Sequence, residues 1–311
     1  MSEPANGGRR NLAVDDDRLH LPSSPDPAFR DAVTFAFGDP TAKLYGLARV
    51  SHGCEGPSGL AILYADRRPV AASAGGGVAS GDPPRWDSVQ AAGVCISVEQ
   101  PLEAWTVTYD GKDGAFDLRF EACSAPAVLE ADAPVARNGG MQGYEQLCRV
   151  TGTASHGGRT HQVRCSGQRG QLWGRPDWSR IELARTVSAW FGEDCGVTLA
   201  AVRPAKCKSH LDEALSGFVF EAGEPLEIEE PRLSTTYDGE RRQRRAGLEL
   251  WMDEEADHAR RIAGEVLCGT TLDLGEQRLD SAFFAWRMEG REGVGRYDVL
   301  RRRNGGGRKP R

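Results

Sequence analysis

The chain has no apolar run near the roughly 18–20 residues that a bilayer span requires. Arg9-Arg10 is not followed by an apolar stretch, so neither a Sec nor a twin-arginine leader is expected, and the protein is expected to be cytoplasmic. Metal-binding patterns are lacking as well. The eight cysteines (Cys54, Cys95, Cys123, Cys148, Cys165, Cys195, Cys207 and Cys268) include no C-x-x-C pair. Cys207 and His210 come nearest to a ligand pair, and nothing upstream completes a site. Scattered cysteines of this kind read as small buried hydrophobes, so neither a metal site nor a disulfide framework is expected. A net positive charge is also lacking: 45 acidic against 39 basic residues give a formal net charge of −6, and Arg241-Arg242-Gln243-Arg244-Arg245 and Arg301-Arg302-Arg303 are short and local. That balance excludes a general nucleic-acid partner.

Cofactor motifs are missing too. Gly53-Cys54-Glu55-Gly56 is not a nucleophile elbow, and Gly75-Gly76-Gly77 is not followed by a helix carrying Gly-Lys-Ser/Thr. A dinucleotide site would need a βαβ unit, which the strand rhythm denies, so no cofactor is expected. Helical periodicity is confined to Lys208–Leu215 and Asp253–Ile262, each long enough for one short helix.

What the chain does contain is β-structure. Trp105, Val107 and Tyr109 alternate with Thr106 and Thr108, and Asp110-Gly111 supplies a hairpin turn. Phe116, Leu118 and Phe120 alternate with Asp117, Arg119 and Glu121, and similar faces occur at Val197–Ala201 and Leu248–Met252. Turn signals recur at Gly75-Gly76-Gly77, Asp82-Pro83-Pro84, Asp113-Gly114, Gly139-Gly140, Gly157-Gly158 and Asp238-Gly239. Short strands at that spacing indicate a sandwich or barrel, and closure is favoured because it removes exposed edges. The Ala-, Pro- and acid-rich stretch Pro126–Pro134 marks a plausible boundary. The expected organisation is a disordered arm over 1–20, one barrel over 21–132, a second over 133–303 and a disordered basic tail over 304–311.

The densest chemistry lies in Gly167-Gln168-Arg169-Gly170-Gln171-Leu172-Trp173-Gly174-Arg175-Pro176-Asp177-Trp178. Indole N–H and guanidinium groups need partners when buried, so this cluster reads either as a polar cavity wall or as a strand-end corner with Trp as filler. Asp177, between Trp173 and Trp178 and near Arg175, is a candidate proton donor through desolvation, or else the ion-pair partner of Arg175 or Arg169. Glu145 follows Tyr144 in the strand Gly143–Val150 and points either into a barrel or out to solvent. His161 is a barrel histidine or a ligand contact. Trp105, Trp190, Trp251 and Trp286 read as core or cavity lining.

With these motifs in view, the chain resembles the lipocalin-like superfamily of carotenoid 1,2-hydratases (hydroxyneurosporene synthases) and AttH-like proteins, in a two-domain bacterial branch. The resemblance rests on Gly143-Tyr144-Glu145, on Gly167-Gln168-Arg169 with Trp173-Gly174-Arg175 and Asp177-Trp178, and on Phe283-Phe284-Ala285-Trp286, Gly290-Arg291 and Gly293-Val294-Gly295. It implies two tandem lipocalin-like antiparallel β-barrels around a pocket for a hydrophobic molecule. Relatives include hydratases of isolated double bonds, and similar folds act as cyclases or pericyclases. The chain departs from the pattern where Gly170-Gln171-Leu172 replaces a more usual Asp-His-Ser. It departs again where Tyr297, followed by Asp298, replaces a glutamate. No catalytic role passes to Gly170 or Gln171.

The expected protein is an all-β, cofactor-free cyclase, isomerase or hydratase acting on an isoprenoid, polyketide or acyl-chain molecule held in a barrel pocket. Asp177 or Glu145 would transfer the proton. Trp173, Trp178, Arg175, Tyr144, His161, Trp105 and Trp286 would line the site, the indole faces stabilising positive charge. The alternative is a non-catalytic carrier of the same kind of ligand.

Overall fold

A computed structural model describes residues 12–303, apart from 208, 210–211 and 254–257. The first sheet is built from β1 (Arg30–Asp39), β2 (Leu44–Gly53), β3 (Gly56–Ala65), β4 (Arg68–Gly81), β5 (Pro84–Ala91), β6 (Val94–Gln100), β7 (Ala104–Asp110), β8 (Gly114–Ala122), β9 (Ala127–Leu129), β10 (Met141–His156) and β11 (Arg159–Gly174). The strands β1 to β8 pair in sequence, β8 pairs with β10, β10 with β11 and β11 with β1, which closes a barrel of 10 strands. A short helix, α1 (Pro134–Gly139), precedes β10. The second sheet holds β12 (Ile181–Trp190), β13 (Gly196–Pro204), β14 (Ala214–Glu221), β15 (Glu224–Glu227), β16 (Glu230–Tyr237), β17 (Gln243–Trp251), β18 (Arg260–Leu274), β19 (Gln277–Met288) and β20 (Arg291–Arg302). Its order is β15-β14-β13-β12-β20-β19-β18-β17-β16, a curled half-barrel whose edges are β15 and β16.

The all-β, lipocalin-like architecture read from the sequence is what the chain adopts. The boundary expected at 132/133 falls inside the first barrel. The stretch after β8 crosses over, and the long hairpin β10–β11 then supplies the two strands that close the ring. The sheets change instead between Gly174 and Ile181. The arm also differs from expectation. Residues 12–20 are ordered, with a 3-10 turn at Val14–Asp17 and Asp17 buried. Residues 1–11 and the tail 304–311 lie outside the described residues. The two expected helices are partly outside them as well, and Ala214, Leu215 and Arg260–Ile262 are strand residues. Gly75-Gly76-Gly77 is not a turn but part of β4. A Cβ on Gly77 would stand 2.0 Å from the Gln90 carbonyl oxygen, so glycine there permits close pairing with β5.

β1 shows why the sheets meet as they do. Its large residues Val33, Phe35 and Phe37 fill the barrel with Trp86, Trp105, Phe116 and Phe120. Its small ones, Ala32, Thr34, Ala36 and Gly38, face the second sheet; a Cβ on Gly38 would come within 2.7 Å of Val294. Both faces of β1 are therefore buried. Between the sheets lies a separate apolar core, with Ala36, Tyr45, Leu47 and Tyr64 against Trp190, Phe220, Phe283 and Val294. The Tyr64 hydroxyl donates to the Ser281 carbonyl across it (3.1 Å). Val135 of α1 packs against Ile181 and Val202 at the other end of the junction.

Candidate functional site

Strand alternation splits β10 and β11 into two chemistries. Tyr144, Arg169, Gln171 and Trp173 face the barrel interior at its mouth, whereas Glu145, Gln168 and Gly170 face the second sheet.

On the outer face, Glu145 sits in a polar seam. Gln168 Nε2 donates to Glu145 Oε2 at 2.6 Å, and the Thr198 hydroxyl of β13 donates to the same oxygen. Trp190 Nε1 donates to Gln168 Oε1 (3.2 Å), which fixes the amide so that its NH2 group points at the carboxyl. Arg296 of β20 approaches Oε1 at 3.5 Å and reaches Asp298 at 3.4 Å. Asp298 also accepts from the Ser281 hydroxyl (2.6 Å). Arg49 completes the seam, donating to Thr34 at 2.8 Å; burial and the nearby Arg296 charge push it down to about 10. Burial raises both carboxyls, Glu145 to about 7, against the opposing pull of Arg296. Glu145 keeps 15% of its side-chain surface exposed, while its carboxyl is enclosed by these partners.

The barrel mouth holds the second cluster. Asp17 from the arm is fully enclosed and ion-paired with Arg169. Arg169 lies over the Trp105 ring, 4.1 Å from its centroid. Gln171 Nε2 donates to Asp31 Oδ2 (2.9 Å) and to the Arg18 carbonyl (2.8 Å). His20 Nδ1 lies 2.9 Å from Asp31 Oδ2, and the imidazole stacks on Trp173 with centroids 4.1 Å apart. Burial raises the Asp31 carboxyl, opposed by these hydrogen bonds. Among the described residues no group of three or more His, Cys, Asp and Glu side chains converges as a metal site, and no helix is long and apolar enough to cross a membrane.

Residues 13–303 match the family described as "Domain of unknown function (DUF7064)". The chain belongs to this family. No curated protein matches it. Among solved structures, the DUF7064 chain is similar to a putative AttH from Nitrosomonas europaea (TM-score 0.68, 12% identity, covering 96% of this chain and 98% of that one). It is also similar to CghA solved with Sch210972 (TM-score 0.62, 10% identity, 88% and 89%) and to kievitone hydratase from Nectria haematococca (TM-score 0.59, 10% identity, 93% and 93%). At these identities the likeness is one of fold, and it bears out the lipocalin-like, AttH-like resemblance.

The DUF7064 structure divides the residues singled out from the sequence. Glu145 lies in the seam; Tyr144, Trp105 and Trp173 lie around the barrel mouth. Asp177 does not join them. It is an exposed turn residue that accepts from the Ser179 amide (2.9 Å) and hydroxyl (2.6 Å), and those bonds hold it below the usual carboxylate range, the reverse of a raised proton donor. Arg175 is exposed and pairs with Asp26, while Trp178 packs half-buried against the α1 cluster. His161 stacks on His156 (5.2 Å) at the far hairpin end. It pairs with Ala154, which is roughly 30 Å along β10 from Glu145 at ~3.3 Å per residue. Trp286 lies in the half-barrel core against Phe284. Aromatic side chains pack the interior of the closed barrel, where a ligand pocket was one expectation.

Asp17, His20, Asp31, Arg49, Thr198 and Arg296 were not singled out from the sequence, Gln168 was given no role, and Arg169, a candidate partner of Asp177, pairs with Asp17 instead. A buried face of mixed charge on β20, Arg296 next to Asp298 by alternation, was the available signal. Nothing local marks Asp17, whose partners are 85 to 152 positions away.

Proposed function

We propose that this protein is a cofactor-free enzyme that transfers a proton to or from a small molecule at the seam between its sheets, with Glu145 as the acid–base group. The observation that carries this reading is a carboxyl raised to about 7 by burial and contacted by three polar residues, Gln168, Thr198 and Arg296. General acid–base catalysis is most effective when the group titrates near the working pH. Gln168 and Thr198 both donate to Oε2, so the neutral acid carries its proton on Oε1, the oxygen left free to give it. Arg296 beside Oε1 stabilises the carboxylate once the proton has gone.

The reaction class is cyclisation, isomerisation or hydration of an isoprenoid, polyketide or acyl chain. The fold likeness to a kievitone hydratase and to a protein solved with Sch210972 supports small-molecule chemistry without naming the substrate. Carriage without turnover remains the second reading, favoured by the absence of the Asp-His pair at Gly170-Gln171.

Mass spectrometry of host organic extracts incubated with wild type and with Glu145→Gln separates them. A species converted by wild type to an isomer of equal mass, or to a product heavier by one water, and left unconverted by the variant, supports the enzyme. One hydrophobic species depleted equally by both proteins, with no product, establishes the carrier.

A further inference from the structure

The carboxylate of Asp17 is bound as a ligand is bound. Oδ2 accepts from the Leu102 amide (2.6 Å) and Trp105 Nε1 (3.1 Å), and Oδ1 accepts from the Tyr144 hydroxyl (2.6 Å) and from Arg169. Every one of these donors belongs to the barrel. The carboxylate belongs to a segment that adds no strand to either sheet. The guanidinium is sandwiched near Trp105 and Tyr144, and its Nε has no hydrogen-bond partner among the described residues. An open surface cavity of about 530 Å³ lies alongside; Leu12, Leu102, Ala125 and Pro126 supply its apolar lining, and Glu103 and Glu224 its acidic lining. Leu102 belongs to both places, and its carbonyl accepts from the Gln146 side-chain amide (3.1 Å), whose Oε1 is buried without a partner among the described residues.

We propose that the barrel mouth is a receptor for the carboxylate of an amphipathic small molecule, that Asp17 is its resident occupant, and that ligand binding displaces the arm. A buried guanidinium left unpaired is costly, so the receptor must hold an anion at all times. Exchanging Asp17 for an incoming carboxylate keeps the charges balanced, and the vacated Leu12 side joins the cavity that takes the apolar chain. The site is on the barrel side of β10, opposite the Glu145 seam, and does not depend on turnover there.

Octanoate and octanamide, which share a chain but differ in charge, are the probes. Because a ligand's apparent affinity falls by the fraction of protein that is competent, Asp17→Ala should bind octanoate at least about tenfold more tightly than wild type by calorimetry. Octanamide should bind neither protein comparably. In the wild-type chain, saturating octanoate should raise amide hydrogen exchange across residues 12–20, an outcome that decides the matter even if Asp17→Ala fails to fold. Asp17→Asn, which keeps the shape and removes the charge, serves as the second variant. Equal octanoate affinity in wild type and variant, octanamide binding as well as octanoate, or arm exchange unchanged at saturation would each overturn the proposal.

Discussion

Glu145 stands directly opposite Gly170 in the β10–β11 ladder, and its Cγ lies 2.9 Å from where a Cβ on residue 170 would be. The carboxyl-bearing side chain thus occupies the space that any side chain at position 170 would claim.

Gly170→Ala tests that relationship. The added methyl must displace Glu145, since the other close atom is the Tyr144 carbonyl oxygen at 3.2 Å, part of the backbone. Overpacking of this kind costs about 1–3 kcal/mol. The variant should lose conversion by about tenfold or more through misplaced proton transfer, with the loss read in kcat rather than KM. Unchanged turnover would detach Glu145's position from its role.

Stability should carry the Glu145 titration. Its folded pKa is raised, so the neutral acid is the favoured form. The contribution is complete below about pH 4 and fades as pH rises through 7; a rise from 4.5 to about 7 is worth roughly 3 kcal/mol. Glu145→Gln removes this term. Denaturant melts should show the variant gaining on wild type between about pH 4.5 and 7, while Asp31, on the other side of the barrel wall, titrates alike in both proteins. A difference independent of pH would contradict the assignment.

Trp190→Phe removes the hydrogen bond that orients Gln168. The orphaned amide oxygen should cost about 1–3 kcal/mol of stability. Turnover should fall more than substrate affinity, because Gln168 then loses its aim at Glu145. Equal loss in both would assign Trp190 to packing alone.

Asp177→Asn should fold with wild-type stability and keep full activity. Asparagine retains the side-chain oxygen that accepts from Ser179 in the exposed turn. An activity loss without a melting change would return Asp177 to the site.

The strands were legible because alternation survives wherever one face is buried and the other is not. Trp105-Val107-Tyr109 and Phe116-Leu118-Phe120 became β7 and β8 with those residues inside the barrel. The domain boundary was not legible. Pro126–Pro134 looks like a linker in sequence, but it crosses over to a hairpin that closes the same ring, and closure is a long-range pairing of β11 with β1. Glu145 was readable as a candidate from its place after Tyr144. Its environment was not, since Thr198 and Arg296 arrive from strands 53 and 151 residues later. Asp177 misled because neighbouring tryptophans in sequence do not bury a residue whose own backbone turns outward.

The most direct measurement is a carbon-13 NMR titration of the glutamate side-chain carboxyls, with Glu145 assigned by its absence in Glu145→Gln. The account predicts one carboxyl with a midpoint near 7, apart from the exposed glutamates. A Glu145 midpoint at the ordinary value of 4.5 would contradict it, leaving a permanently ionised carboxylate with no proton to give near neutral pH.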